Sequence, residues 1–143
     1  MRPASTDATT VRFGILILNY NGMSWLPELL SSLASDGYAN KQVYVIDNAS
    51  TDGSLGLLQR EWPEVEVIAL SDNLGYAMAY NCAMQTAFDD GCDWVLWQNA
   101  DTRVRAGWLG RLTEVIATDP ALGILGCCLL AWKSDPSSFY YQA

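Results

Sequence analysis

The chain has 143 residues, half of them hydrophobic, with 16 acidic residues against 8 Lys and Arg and a net charge of −8. That length supports one domain with a real core, and that charge repels nucleic acid and anionic membrane, so no nucleic-acid partner is expected. Histidine is absent, which excludes Ser-His-Asp and Cys-His catalysis and every His-ligated metal site within the chain.

Residues Met1 to Thr10 (MRPASTDATT) are small, polar and without periodicity. They predict a flexible tail over 1-10, ahead of one domain over 11-143. Apolar, β-branched runs then alternate with helical patterns. A first strand is predicted over Val11 to Leu18, and a first helix over Ser24 to Ala34 with Ser24 and Pro27 at its opening. A second strand over Gln42 to Asp47 leads through Asp52-Gly53-Ser54 into a helix over Ser54 to Trp62, which Pro63 stops. A third strand over Val65 to Leu70 precedes a helix over Gly75 to Asp89. A fourth strand over Trp94 to Gln98 precedes a helix over Ala106 to Thr118, with Pro120 beyond it. A fifth strand is predicted over Leu122 to Leu130. Strands this apolar, in β-α-β-α order, imply an α/β fold with a mainly parallel sheet flanked by helices on both faces.

The four cysteines, Cys82, Cys92, Cys127 and Cys128, contain no C-x-x-C pair and do not read as a zinc site. Cys127 and Cys128 lie in an apolar run and are expected as buried, reduced thiols, which fits a reducing cytoplasm. No signal-peptide pattern follows Met1. The apolar run from Ala121 to Trp132 is about half of the ~20 residues a membrane span requires.

In open parallel sheets, ligands bind beyond the carboxyl ends of the strands. Here those ends carry Asn19-Tyr20-Asn21-Gly22, Asp47-Asn48-Ala49-Ser50-Thr51-Asp52-Gly53, Ser71-Asp72-Asn73-Leu74-Gly75 and Asn99-Ala100-Asp101-Thr102. Any one of them is ordinary turn chemistry. Four on one rim also make a surface of amides and carboxylates suited to hydroxyls and hard cations. The first turn, NYNGMS, is neither the G-x-G-x-x-G of a dinucleotide fold nor a P-loop. Tyr20 offers a ring for base stacking or a buried aromatic at a strand end, and Asp47 can accept from a base N–H or a sugar hydroxyl.

The third helix places Leu74, Ala77, Met78, Asn81, Met84, Gln85 and Phe88 on one stripe. Asn81 is therefore expected to be buried and hydrogen-bonded, either to neighbouring loops or in support of the rim. Asp101, just beyond the apolar fourth strand, is positioned to anchor a Mg²⁺ or Mn²⁺, which takes one or two carboxylates plus substrate phosphates.

Together ILNYNG, VIDNASTDGS, NLGYAMAYN and WVLWQNADT, in this order, resemble the family 2 glycosyltransferases of the GT-A fold, across Val11 to about Leu130. The resemblance implies an inverting transfer of a sugar from a nucleotide-diphosphate donor to a hydroxyl acceptor, with a glycan or lipid-linked acceptor as partner. By position, Leu18, Tyr20 and Asn21 line the nucleotide, and Tyr20 stacks near the base. Asp47 and Asn48 contact base or ribose, and Asn73, Gly75 and Asn81 shape the donor pocket. Asn99-Ala100-Asp101 occupies the place of the D-x-D motif, with Asp101 and Asn99 as ligands of Mg²⁺ or Mn²⁺. The wording is most similar to rhamnosyltransferase-type members and points to a dTDP- or UDP-sugar.

Three features depart from the family pattern. Asn99 replaces the first Asp of D-x-D. Tyr80 stands where many relatives carry a basic residue. The chain stops where the family continues, so the acceptor half is expected to be absent, no residue matches the catalytic base, and this chain alone is expected to bind donor without turnover. The alternative is a non-catalytic nucleotide- or sugar-binding module. Uncovered apolar surface near Leu122 to Trp132 further predicts self-association. The expected location is cytoplasmic, peripheral to the inner face of the membrane in the complete protein.

Overall fold

A computed structural model describes residues 11–129; the predicted tail over 1-10 and the end of the predicted fifth strand at Leu130 lie outside the described residues. Four strands alternate with four helices: β1 (Phe13–Asn19), α1 (Leu26–Ala34), β2 (Lys41–Asp47), α2 (Ser54–Glu61), β3 (Glu66–Ala69), α3 (Gly75–Asp89), β4 (Trp94–Asn99) and α4 (Trp108–Thr118). The strands form one sheet in the order β3-β2-β1-β4, and every pairing is parallel. All four carboxyl ends therefore lie on one rim, as the strand pattern predicts.

The alternation of β1 sorts the core into two layers. Phe13, Ile15 and Ile17 face a cluster made by Leu26, Leu29, Leu30 and Leu33 of α1, Leu58 of α2, and Leu109 and Leu112 of α4. Leu16 faces the other side, where Ala79, Tyr80, Ala83 and Ala87 of α3 pack with Tyr44, Ile46 and Cys92. Three alanines at i, i+4, i+8 let α3 come close to the strands. The approach is close enough that a Cβ on Gly14 would sit 3.0 Å from the Ala87 Cβ and 3.1 Å from the Cys92 Sγ.

This close packing overturns the predicted stripe on α3. Leu74, Met78 and Phe88 are exposed, and so is Asn81, which is not the buried amide expected. The small-residue face wins because it brings backbone and sheet together, whereas the bulky stripe would hold them apart.

The first helix begins at Leu26 rather than Ser24, because the Trp25 and Leu26 amides both donate to the Gly22 carbonyl and form a lead-in turn. The predicted strand over Leu122 to Leu130 is not formed among the described residues. The outer edge of β4 bonds no neighbour there, and 122–129 runs as irregular backbone. Cys127 and Cys128 on it are free but exposed, not buried, while Cys92 is the buried thiol. No helix among the described residues is long and apolar enough to cross a membrane.

Candidate functional site

The parallel register sets Asn19 beside Asp47, and Leu18 beside Asn99. Asn19, at the end of β1, is wholly buried and is the hub of the rim. Its amide nitrogen shares its two N–H protons among three acceptors, Asp47 Oδ1 at 2.7 Å, Ser54 Oγ at 2.8 Å and Ser50 Oγ at 3.0 Å. Its Oδ1 accepts the Gly22 amide at 3.0 Å. That contact leaves no room for a side chain on Gly22, where a Cβ would stand 2.5 Å from the same oxygen. The same Cβ would lie 3.5 Å from the Ala100 Cβ, so the loops after β1 and β4 touch.

Asp47 is also buried, and its second oxygen accepts the Ser50 amide at 3.2 Å. Asn48 continues the network toward α3. Its Nδ2 donates to Asn73 Oδ1 at 2.8 Å, and its Oδ1 accepts the Leu74 amide at 2.8 Å. Asn73 Oδ1 also accepts the Gly75 amide at 2.9 Å, which holds the first residue of α3, in a left-handed conformation with φ 72°, against the rim. Asn21, itself at φ 53°, accepts the Thr51 amide at 2.8 Å and ties the first loop to the second. Asp52 accepts the Met23 amide at 2.8 Å and the Ser54 amide at 3.0 Å. Partial desolvation works to raise the Asp52 carboxyl, and hydrogen bonds from the Ser54 side chain and the Met23 and Ser54 amides outweigh it, holding it below the ordinary range.

Of the residues singled out in the sequence, Tyr20, Asn21, Asp47, Asn48, Asn73 and Gly75 fall on this connected rim. Leu18 is half-buried in β1 and packs against the α3 layer. Asn81 does not join them; it lies six residues into α3, about 9 Å along the helix from Gly75. Tyr20 is 55% exposed, so its ring is a free face rather than a core aromatic. Asn99 and Asp101 are both exposed. Ser50, Asp52, Ser54 and above all Asn19 are the rim residues that motif reading passes over. The signal for Asn19 is a polar side chain closing a strand whose neighbour also ends in a carboxylate.

Tyr80 has a role unlike that of a phosphate-contacting base. It is buried, stacks on Trp97 with ring centroids 4.6 Å apart, and donates to the Gln98 carbonyl at 2.9 Å. Burial, with the neighbouring Tyr76, raises its hydroxyl far above ordinary phenol, so it remains a protonated donor. Beside it an open cleft of about 860 Å³ runs along β4, lined by Trp97, Asn99, Thr102, Phe88 and the 122–129 segment.

The donor set at the end of β4 suits a hard divalent cation. One carboxylate and one amide carbonyl, both facing solvent, match an ion that keeps waters and takes phosphate oxygens for the rest of its shell. No cluster of three or more His, Cys, Asp or Glu occurs among the described residues, so Asn99 and Asp101 offer only part of a coordination sphere.

The family model for Glycosyl transferase family 2 matches residues 14–135. Two curated relatives from strains of Mycobacterium tuberculosis, both N-acetylglucosaminyl-diphospho-decaprenol L-rhamnosyltransferases, are 28% identical over 137 residues. The match takes in 90% of this chain and 43% of theirs, so the chain spans less than half of the length of these relatives. Among solved structures, S. aureus TarS 1-349 in complex with UDP-GlcNAc aligns with a TM-score of 0.68 and 25% identity, over 76% of this chain and 32% of that one. The mannosyltransferase PcManGT from Pyrobaculum calidifontis, in complex with GDP-Man and Mn²⁺, aligns with a TM-score of 0.68 and 24% identity over 85% of this chain and 37% of that one. Both share the GT-A fold with it.

Proposed function

The chain belongs to glycosyl transferase family 2, and on that premise we propose that it is the donor-binding part of an enzyme that moves a sugar, with inversion, from a nucleotide diphosphate to a hydroxyl acceptor. The observation that carries this reading is the parallel register that gathers the carboxyl ends of β1, β2 and β4 on one rim, with Asn19 beside Asp47 and Leu18 beside Asn99. Tyr20 presents its exposed ring to the base. Asp47 and Asn48, buried and bonded to Asn19, Ser50, Asn73 and the Leu74 amide, brace from beneath the loops that hold base and ribose, with Asn21, Leu18, Asn73 and Gly75 shaping the pocket around them. Asn99 and Asp101 would hold Mg²⁺ or Mn²⁺, and the bound ion would supply positive charge against the diphosphate. In a chain of net charge −8, a dianionic ligand needs such help.

The uridine nucleotide of the TarS complex favours a UDP-sugar as donor, with a dTDP-sugar as the second arm of the test. The decaprenol-linked acceptor in the names of the curated relatives favours a lipid-linked acceptor over a free glycan. A lipid-linked acceptor would also bring the reaction to a membrane surface. Calorimetric titration of UDP and of dTDP, with Mn²⁺ or Mg²⁺ and again with EDTA, tests the donor reading on this chain and on Asp101→Ala. Metal-dependent binding weakened about tenfold or more by the substitution, a loss of ~1.4 kcal/mol, is the expected result. Equal binding by both proteins, or none by a folded chain, contradicts it.

The outer edge of β4 is free among the described residues, and we propose that it pairs with a second copy of this chain. Its six residues, WVLWQN, carry no charge, whereas the other edge, β3, has four residues and begins with Glu66. Charge and shortness are what usually blunt an edge, and β4 has neither. Ile124 and Leu129 add exposed apolar surface beside it. Light scattering is expected to show a mass that rises with concentration; a constant monomer mass would overturn the pairing.

A further inference from the structure

The turn that carries Asp101 is gripped from two sides. On the strand side, the Thr102 hydroxyl donates to the Asn99 carbonyl at 2.6 Å, and the Gln98 amide donates to that hydroxyl. On the other side stands α1. Glu28 and Ser32 lie one helical turn apart on one face, and Asp36 lies a further turn on, just past the end of the helix.

Each of these three residues binds the chain that follows Asp101. Arg103 Nη1 donates to Glu28 Oε1 at 3.3 Å. The Val104 amide donates to Ser32 Oγ at 3.1 Å. The Gly107 amide donates to the Asp36 carbonyl, and the Leu109 amide to Asp36 Oδ2, both at 3.3 Å. The contacts run in the same order along both segments, so α1 acts as a rail along which the backbone from Asp101 to α4 is laid.

Ser32 is the centre of this rail. Its hydroxyl proton goes to the Leu29 carbonyl at 2.7 Å, within its own helix, which fixes the oxygen and leaves a lone pair for the Val104 amide. The Glu28–Arg103 pair is more than half exposed on both sides and is worth little alone. Asp36 is buried and takes the place of a local cap at the start of α4, where the residue before the helix, Gly107, supplies no side-chain cap.

From this arrangement we infer that Ser32, flanked by Glu28 and Asp36, is a positioning residue that sets where the Asp101 carboxylate stands on the rim. It does so from a helix that contributes no group to the donor pocket itself. The inference rests on the assignment of Asp101 to the cation. Its logic is that of outer partners that orient a ligand and govern its metal affinity through a hydrogen bond. Val104 lies three residues from Asp101, and losing its anchor frees the turn on one side only, because Thr102 and Gln98 still close the other.

The test is Mn²⁺ affinity in the presence of UDP, read by electron paramagnetic resonance on wild type, Ser32→Ala, Ser32→Thr and Asp101→Asn, with thermal unfolding measured alongside. Ser32→Ala is expected to weaken Mn²⁺ binding about tenfold at nearly unchanged stability, and Ser32→Thr, which keeps the hydroxyl, to restore it. Glu28→Gln, on an exposed pair, is expected to leave folding intact and to weaken Mn²⁺ about twofold, and serves if Ser32→Ala is unstable. Should Asp101→Asn weaken Mn²⁺ while Ser32→Ala and Glu28→Gln do not, the rail is overturned and the cation assignment stands. If Asp101→Asn has no effect, the cation assignment fails and the positioning role falls with it.

Discussion

The two ends of the rim are built by opposite means. At the β1–β2 corner, Asn19, Asp47 and Asn48 are buried, and their side chains bond to one another and to the loops around them. At the end of β4, Asn99 and Asp101 face solvent, and the turn between them is held by tethers on neighbouring backbone. The difference teaches where substitutions will be felt. A change at the buried corner removes several bonds at once and damages the fold together with the site. A change on the exposed turn leaves the fold alone and shows only in ligand binding.

Asn19→Ala is the largest break in this contrast. It leaves Asp47 Oδ1 and the Gly22 amide without their Asn19 partner, while Ser54 Oγ keeps its bond to Asp52. Each orphaned buried group costs about 1–3 kcal/mol, so the loss of stability in urea unfolding is expected to be roughly 3 kcal/mol or more. A loss under ~1 kcal/mol would show that the corner is not prearranged. Gly22→Ala comes next. Its new Cβ would stand 2.5 Å from Asn19 Oδ1, and moving that oxygen or the loop is expected to cost about 1–3 kcal/mol in the same measurement. Asp101→Asn, on the exposed turn, is expected to change stability by less than about 0.5 kcal/mol while removing the metal dependence of nucleotide binding.

The smallest effect concerns acid. The Asp52 carboxyl is held below its ordinary value by the Ser54 and Met23 hydrogen bonds, which outweigh partial desolvation. A carboxyl depressed in the folded state stabilises above its unfolded pKa, about 3.9, and that contribution is lost as pH falls through the folded value. Asp52→Asn should therefore lower stability slightly at neutral pH, and the gap from wild type should close on acidification below about pH 4. A gap that is constant with pH would assign the effect to shape rather than charge.

Much of this fold is legible in the sequence because each element announces itself locally. Apolar runs mark the four strands, Pro63 and Pro120 end helices, and NYNG, DNASTDG and NAD mark loops that the parallel order must gather on one rim. What is not legible depends on neighbours. Asn19 looks like one more turn residue until the register sets it beside Asp47. Asn81 sits on the bulkier stripe of α3, yet Ala79, Ala83 and Ala87 give the closer fit to the sheet and turn it outward. The run after Leu122 has the composition of a strand but pairs with none among the described residues. The contacts of α1 with the chain after Asp101 join residues more than 70 positions apart, and no local pattern encodes them.

The two ends of the rim are halves of one site. Amide resonances of the isotopically labelled chain, recorded with UDP and a trace of Mn²⁺, test it most directly, because the ion broadens only amides near it. The account predicts broadening of Gly22 and of Ala100 to Val104 that requires nucleotide, disappears in Asp101→Asn, and is accompanied by shifts at Tyr20 and Asn48. Broadening centred away from the β4 turn, or UDP shifts that never reach Tyr20 and Asn48, would contradict it.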